Sequence, residues 1–295
     1  MSEGQHQAGG ARVPVRPTLH LRTPRGTFAV TMLTPAAPRG VALLVPGFTG
    51  SKEDFAPLLA PLAARGWQVA AVDQRGQYQT AGPDDPQAYT VDALAADAVA
   101  VAAALTPGPV HLVGHSFGGL VARAAVLARP DAWASLTLLD SGPGPVPEQA
   151  WPGLRRMCDL LATAGLDEVW ARRRRHQLAA GASPGSPQEE AFLRARFTRH
   201  HPVCLTAMAE QLMTVADRTD ELAVLLRTRH VPTLVAWGED DDAWPPAQQQ
   251  RTAQRLGARW AAIPGAGHSP AVQAPDRLVR LLDEFWGQDA AATRP

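Results

Sequence analysis

Three residue types that can act together on a carbonyl group are scattered along this chain: a serine, a histidine and a choice of carboxylates. Ser116 stands in Gly114-His-Ser-Phe-Gly-Gly119, directly after the apolar run Val110-His-Leu-Val and before the helical pattern Leu120-Val-Ala-Arg-Ala-Ala-Val-Leu-Ala. Strand, glycine turn and helix is the setting that gives Gly-x-Ser-x-Gly its chemical meaning. The sharp turn lifts the hydroxyl above a sheet, and the next amide sits at a helix N-terminus, where the dipole favours negative charge. Ser116 is therefore the expected nucleophile and the Phe117 N–H an expected oxyanion donor. A serine hydroxyl is weak unless a base takes its proton and a third group orients that base. His268, in the loop Ile263-Pro-Gly-Ala-Gly-His-Ser-Pro, can be the base. The acid has two sources: the run Glu239-Asp-Asp-Asp242 after the apolar segment Thr233-Leu-Val-Ala-Trp-Gly, and Asp140, which ends Leu136-Thr-Leu-Leu-Asp.

These groups need a rigid frame. Continuous apolar runs at 41–45, 68–72, 110–113, 135–139 and 233–238 read as strands buried on both faces of a parallel sheet. Helical patterns at 55–65, 91–105 and 275–286 alternate with them, which predicts an α/β fold. Segments 19–22 and 26–33 predict an opening hairpin, and 258–263 a last strand. His115 adjoins Ser116 and is expected to point away from it, because neighbours on a strand project to opposite faces. The alternation stops between about 143 and 230. That stretch opens on Pro143, Pro145, Pro147 and Pro152, then turns helical in rhythm, without a strand pattern. It predicts an all-helical insertion.

The chain resembles the α/β-hydrolase-fold serine hydrolases, of the compact type with a helical cap. The resemblance spans about 17–287 and rests on five motifs in family order. They are Pro46-Gly-Phe-Thr-Gly-Ser51, Asp73-Gln-Arg-Gly76, Gly114 to Gly119, Gly238-Glu-Asp-Asp241 and Gly265-Ala-Gly-His268. The order Ser, acid, His is that of this fold. The resemblance implies a mostly parallel central sheet flanked by helices, with core segments 17–142 and 231–287 and a cap at 143–230. A disordered tail at 1–16 and a flexible one at 288–295 are expected. Family spacing makes Asp241 the acid, three residues after Gly238 and four before Pro245, with Asp140, Asp240 and Asp242 as alternatives. It also makes the Phe48 N–H the second oxyanion donor, although Pro46-Gly47 replaces the usual His-Gly.

The resemblance implies a carboxylesterase-like serine hydrolase working through an acyl-enzyme. C–C bond hydrolysis, lactone or thioester cleavage and perhydrolysis use similar triads, and a non-catalytic ligand-binding homologue is a further reading. Phe48, Phe117, Trp151, Met157, Leu161, Phe197, Met208, Leu212 and Trp244 are the candidate pocket walls, which implies a small, uncharged, partly hydrophobic substrate.

Composition agrees. At 295 residues the chain can hold one large core plus an insertion. Net charge is zero, so no nucleic-acid or anionic-surface field is implied. No apolar run approaches the roughly 18 residues needed to span a bilayer, and no secretory leader is visible, so a cytoplasmic enzyme, monomeric or homodimeric, is expected. No cofactor and no metal is expected, the acidic run being read as a hydrated turn. Cys158 and Cys204 are read as small buried hydrophobes. Arg172 to Arg175 form a basic run, read as the wet face of a helix.

Overall fold

The computed structural model describes residues 17–179, 181 and 184–292. The expected N-terminal tail at 1–16 lies outside them. Strands β1 (Leu19–Thr23) and β2 (Gly26–Leu33) form the antiparallel hairpin, and six parallel strands follow. These are β3 (Gly40–Val45), β4 (Trp67–Val72), β5 (Val110–His115), β6 (Trp133–Leu139), β7 (Thr233–Gly238) and β8 (Arg259–Ile263). The order across the sheet is β1-β2-β4-β3-β5-β6-β7-β8, with β2 antiparallel to β4.

The unbroken apolar runs are explained by the two faces they serve. Leu43, Val45, Val110, Leu112, Leu136, Leu138, Val235 and Trp237 enter one buried cluster. Their neighbours Ala42, Leu44, Val113, Leu139, Leu234 and Ala236 enter another. Alternate residues thus feed opposite faces, and both faces are covered. Helices α1 (Ala56–Ala64), α2 (Val91–Leu105) and α3 (Phe117–Ala128) flank the sheet before the insertion.

The insertion carries α4 (Trp151–Ala179), α5 (Pro187–Thr198) and α6 (Pro202–Thr214). α4 is broken at Gly165, where φ is 77°. Leu161, Val169, Phe197 and Leu205 form a small core belonging to these helices. The next helix, α7 (Thr219–Arg229), packs against α3 and against α8 (Pro246–Leu256). It flanks the sheet, although it falls within the stretch 143–230 expected as the helical insertion. Its Leu222 and Leu226 are buried in the main core, which is what their spacing serves. The short α9 (Pro270–Gln273) and the long α10 (Pro275–Ala292) close the chain. α10 continues into the expected C-terminal tail as far as Ala292.

α10 is fastened to the sheet through an aromatic group. His111 on β5 stacks on Trp286 (5.3 Å between centroids) and meets Trp67 edge-on (5.2 Å), with Nδ1 2.8 Å from Ser135 Oγ. Burial pushes the His111 imidazole down to about 4. A native state that refuses a proton which the unfolded chain accepts near 6.5 loses stability as pH falls from 6.5 to 4. That contribution amounts to about 3 kcal/mol. In urea unfolding, the stability advantage of wild type over His111→Asn should shrink by about that amount between pH 7 and pH 4. A constant difference between the two proteins would contradict the buried, neutral imidazole.

Candidate active site

The turn that carries Ser116 is built by backbone against backbone. Ser116 adopts φ 56°, ψ −122° between β5 and α3, a conformation that costs an L-residue about 1–3 kcal/mol. It is held by the Ser116 N–H bond to the Leu139 carbonyl and the Gly119 N–H bond to the Ser116 carbonyl (both 2.9 Å). A Cβ on Gly114 would lie 2.3 Å from the Gly118 oxygen, and one on Gly118 would lie 2.4 Å from the Val45 oxygen. The two glycines are there because nothing larger fits.

Ser116, His268 and Asp241 come together. His268 Nε2 is 2.9 Å from Ser116 Oγ, and His268 Nδ1 is 2.8 Å from Asp241 Oδ1. With Asp241 accepting at Nδ1–H, Nε2 is free to take the serine proton. Asp241 also accepts from the Ala243 N–H (2.9 Å) and the Gln249 side chain. Burial pushes the Asp241 carboxyl up, but these hydrogen bonds, led by that of His268, outweigh it and hold the group below its usual value. The loops are zipped together: the Asp240 N–H donates to the Ala266 carbonyl (3.0 Å), and Gln273 Oε1 accepts from the Gly267 (2.9 Å) and Ser269 (3.1 Å) N–H groups.

Asp140 does not reach His268 as a partner. It accepts from the Gly238 N–H (2.9 Å), and its Oδ2 is buried without a hydrogen bond. Burial, opposed by that Gly238 bond and reinforced by the Asp241 carboxylate, pushes Asp140 well above the usual range. The surroundings thus favour the protonated form of Asp140 and the ionised form of Asp241. Asp140, Asp241 and His268 are the one group among the described residues spaced closely enough to ligate a metal. Apart from Asp140 Oδ2, every ligand atom in it already faces a hydrogen-bond partner.

The two expected oxyanion donors are presented by their peptide planes. In a trans peptide the N–H points opposite to the C=O. The Gly47 carbonyl accepts from Gln77 Nε2 (2.8 Å) and from the Gly50 N–H (3.1 Å), so the Phe48 N–H points the other way. The Ser116 carbonyl is taken by Gly119, which turns the Phe117 N–H likewise. Neither amide donates to a described residue. A Cβ on Gly47 would lie 2.8 Å from Ser116 Cβ, so the two turns touch. Gln74 Nε2 holds the Pro46 carbonyl (2.8 Å), and His200 Nε2 donates to the Gly50 carbonyl (3.1 Å). Lys52, fully buried, ties the end of this loop to Asp73 (2.9 Å).

Several functional contacts escape the sequence reading. Gln74, Gln77, Gln249 and Gln273 each hold a loop that carries a site residue, and nothing in their spacing announces it. Gln249 comes nearest to a signal, as a fully buried polar residue on the inner face of α8. His115, expected to point away, donates from Nε2 to the His268 carbonyl (2.7 Å), with ring centroids 5.1 Å apart. Burial, followed by the nearby His268, pushes it down to about 4, so it serves as a neutral donor. The alternation rule fails there because β5 ends at His115 and the chain turns at Ser116.

The pocket walls need the largest correction. Phe117, Met208 and Trp244 are fully buried, and Leu212 nearly so, all within the main core. The Trp244 ring backs His268 at 6.1 Å and donates Nε1–H to the Pro145 carbonyl (3.2 Å). Leu161 is buried in the cap core, with Met157 half-buried against it. Trp151 packs on the main core and donates to the Val146 carbonyl (3.0 Å). Phe48 bridges core and cap. Of the expected walls, Phe197 alone lines a cavity of about 670 Å³ between the inserted helices and the core. Thr49, Asp242 and Gln273 form its core side; Trp170, Arg173, Arg174, Gln177, Leu193 and Arg196 form the cap side. The lining of this cavity is mixed, with three arginines and Asp242 beside Trp170, Leu193 and Phe197. Arg173 and Arg174 turn from the expected wet face into this cavity.

A family model of the alpha/beta hydrolase fold matches residues 41–275, and the chain belongs to that family. It is 27% identical over 254 residues to a protein named as a carbamate hydrolase, RutD, of Caulobacter segnis, covering 85% of this chain and 92% of that one. It is 31% identical over 182 residues to a pimeloyl-(acyl-carrier protein) methyl ester esterase of Methylococcus capsulatus, covering 61% and 71%. A thermophilic esterase structure from Thermogutta terrifontis superposes with a TM-score of 0.74 at 23% identity, over 93% of this chain and 99% of that one. The enol-lactonase of Burkholderia xenovorans gives 0.73 at 20%, over 92% and 100%. No helix among the described residues is long and apolar enough to cross a membrane.

Proposed function

We propose that this protein is a serine hydrolase that cleaves a carboxylic ester, or a closely related acyl bond, of a small substrate through an acyl-enzyme. The observation that carries this reading is the continuous hydrogen-bonded line from Ser116 Oγ through His268 to Asp241, set on a strained turn beside two unengaged amides. His268 Nε2 takes the Ser116 proton as Oγ attacks the carbonyl carbon. The Phe48 and Phe117 N–H groups receive the negative charge that develops on oxygen, each worth about 3–4 kcal/mol in such sites. Protonated His268, steadied by Asp241, then hands its proton to the departing alcohol oxygen. Water attacks the acyl-serine with His268 again as base, releasing the acid and restoring Ser116.

Two measurements test the reading. A fluorophosphonate probe should label Ser116 and no other residue. A p-nitrophenyl acetate, butyrate and octanoate series should be turned over more efficiently than simple lactones and a vinylogous diketone. Labelling with no ester turnover, but with cleavage of the diketone, would replace the ester by a C–C bond. No labelling and no turnover would leave a ligand-binding homologue.

A further inference from the structure

The cavity beside the site has an arginine with an unfilled guanidinium. Three arginines line it, and two are already paired. Arg174 is bidentate to Glu190, and Arg196 pairs with Asp54. Arg173 forms no ion pair with any described carboxylate. Its Nη1 donates to Thr49 Oγ1 (2.8 Å), and its guanidinium lies 5.8 Å from the centre of the Phe197 ring. An arginine offers five N–H donors in a planar fork. One goes to a hydroxyl, and no other has a partner among the described residues. The residue is exposed and its side chain lines the cavity, while the protein packed around it, and then the nearby Arg196, lower its pKa. The N–H donors left over can meet an oxyanion through two parallel bonds.

The cavity is lined by neighbours of the reacting groups. Thr49 follows the oxyanion donor Phe48, Asp242 follows Asp241, and Gln273 holds the amides on either side of His268. Its volume suits a small ligand. The charges are also segregated. The unpaired cation is on the cap side, on α4. Asp242, the only carboxylate on the wall among the described residues, is on the core side next to the triad acid. An anionic ligand is drawn toward Arg173 and repelled from Asp242, which leaves its uncharged end nearer the core.

We propose that Arg173 binds a terminal oxyanion group, a carboxylate or phosphate-type anion, on the acyl chain of the substrate, with Thr49 fixing the guanidinium. This inference rests on the serine hydrolase reading for the chemistry and adds to it the class of substrate. It replaces the expectation of an uncharged one. Binding energy from the remote anion would orient the ester carbonyl over Ser116.

The test uses p-nitrophenyl esters of matched length. p-Nitrophenyl hydrogen glutarate ends in a carboxylate, the valerate ends in a methyl group, and the 4-phosphonobutyrate separates the two kinds of anion. Wild type should prefer at least one anionic ester over the valerate by about tenfold or more in kcat/KM. Arg173→Gln should lower that ratio by about 10–100-fold, chiefly through KM. Arg173→Lys, which keeps the charge but not the fork, should recover part of it. A wild-type ratio near one, or a ratio unchanged in Arg173→Gln, overturns the proposal. So does a loss that falls equally on all three esters, which would make Arg173 a support for the Thr49 loop alone. If no ester is turned over, the hydrolase reading fails while the anion site is still decided by calorimetry. Monomethyl glutarate or propylphosphonate should then bind wild type about tenfold or more tighter than Arg173→Gln. Equal binding, or none to wild type, overturns the site.

Discussion

Replacing Ser116 by alanine is expected to lower ester turnover by about four to six orders of magnitude without unfolding the protein. The hydroxyl is the only atom lost. Alanine must still adopt φ 56°, as serine does, so the strain of the turn is unchanged and the 7% exposed site gains no bulk. The two oxyanion amides are backbone groups and survive, so turnover well above that in water should remain. Turnover of p-nitrophenyl butyrate by purified wild type and variant, with thermal unfolding as control, checks this. A variant that melts normally and keeps turnover within tenfold of wild type would remove Ser116 from the mechanism.

Asp241→Asn is expected to cost about 10⁴ in turnover, because an amide in place of the acceptor lets His268 present the wrong tautomer to Ser116. Asp140→Asn should change turnover by less than about tenfold. The contrast follows from protonation. Burial and the adjacent carboxylate favour the protonated form of Asp140, and an asparagine is close in shape and hydrogen bonding to a neutral carboxylic acid. Its oxygen can accept from Gly238 as Asp140 does. Asp241 is the member whose ionised form the surroundings favour, and in the proposed mechanism that charge steadies the imidazolium. Parallel kcat measurements on the two variants decide the matter. A crippled Asp140→Asn beside an active Asp241→Asn would reverse the assignment.

What could be read from the residues was whatever is encoded locally. The turn at Ser116 announces itself because strand, glycines and helix are contiguous. Each parallel strand shows as an apolar run because both of its faces are covered. His268 and Asp241 could be named from spacing and resemblance, but choosing Asp241 over Asp140 is a matter of which oxygen reaches Nδ1, a contact across three strands. The glutamines stayed invisible because a side-chain amide that holds a loop looks like any surface glutamine until its partners are in place. The cap reads as helical from its apolar rhythm, yet the rhythm does not say what each stripe faces. Met208 and Leu212 turn to the main core, α7 belongs to the sheet's flank, and two arginines of an apparently wet run line the cavity.

The close packing around Gly118 has a consequence for how such a chain can diverge. Where a methyl group on Gly118 would go, there are the carbonyl oxygens of Val45 and Pro46. Those neighbours are main chain, so no compensating change of a side chain can make room. The wall formed by Trp170, Arg173 and Leu193 is made of side chains on inserted helices, and altering one of them displaces no strand. Single mutations can therefore shift what the cavity admits while none of them opens a way out of the reaction itself. Substrate range should drift between close relatives well before chemistry does, and a library aimed at new substrates belongs at positions 170, 173 and 193, with 114 and 118 left untouched.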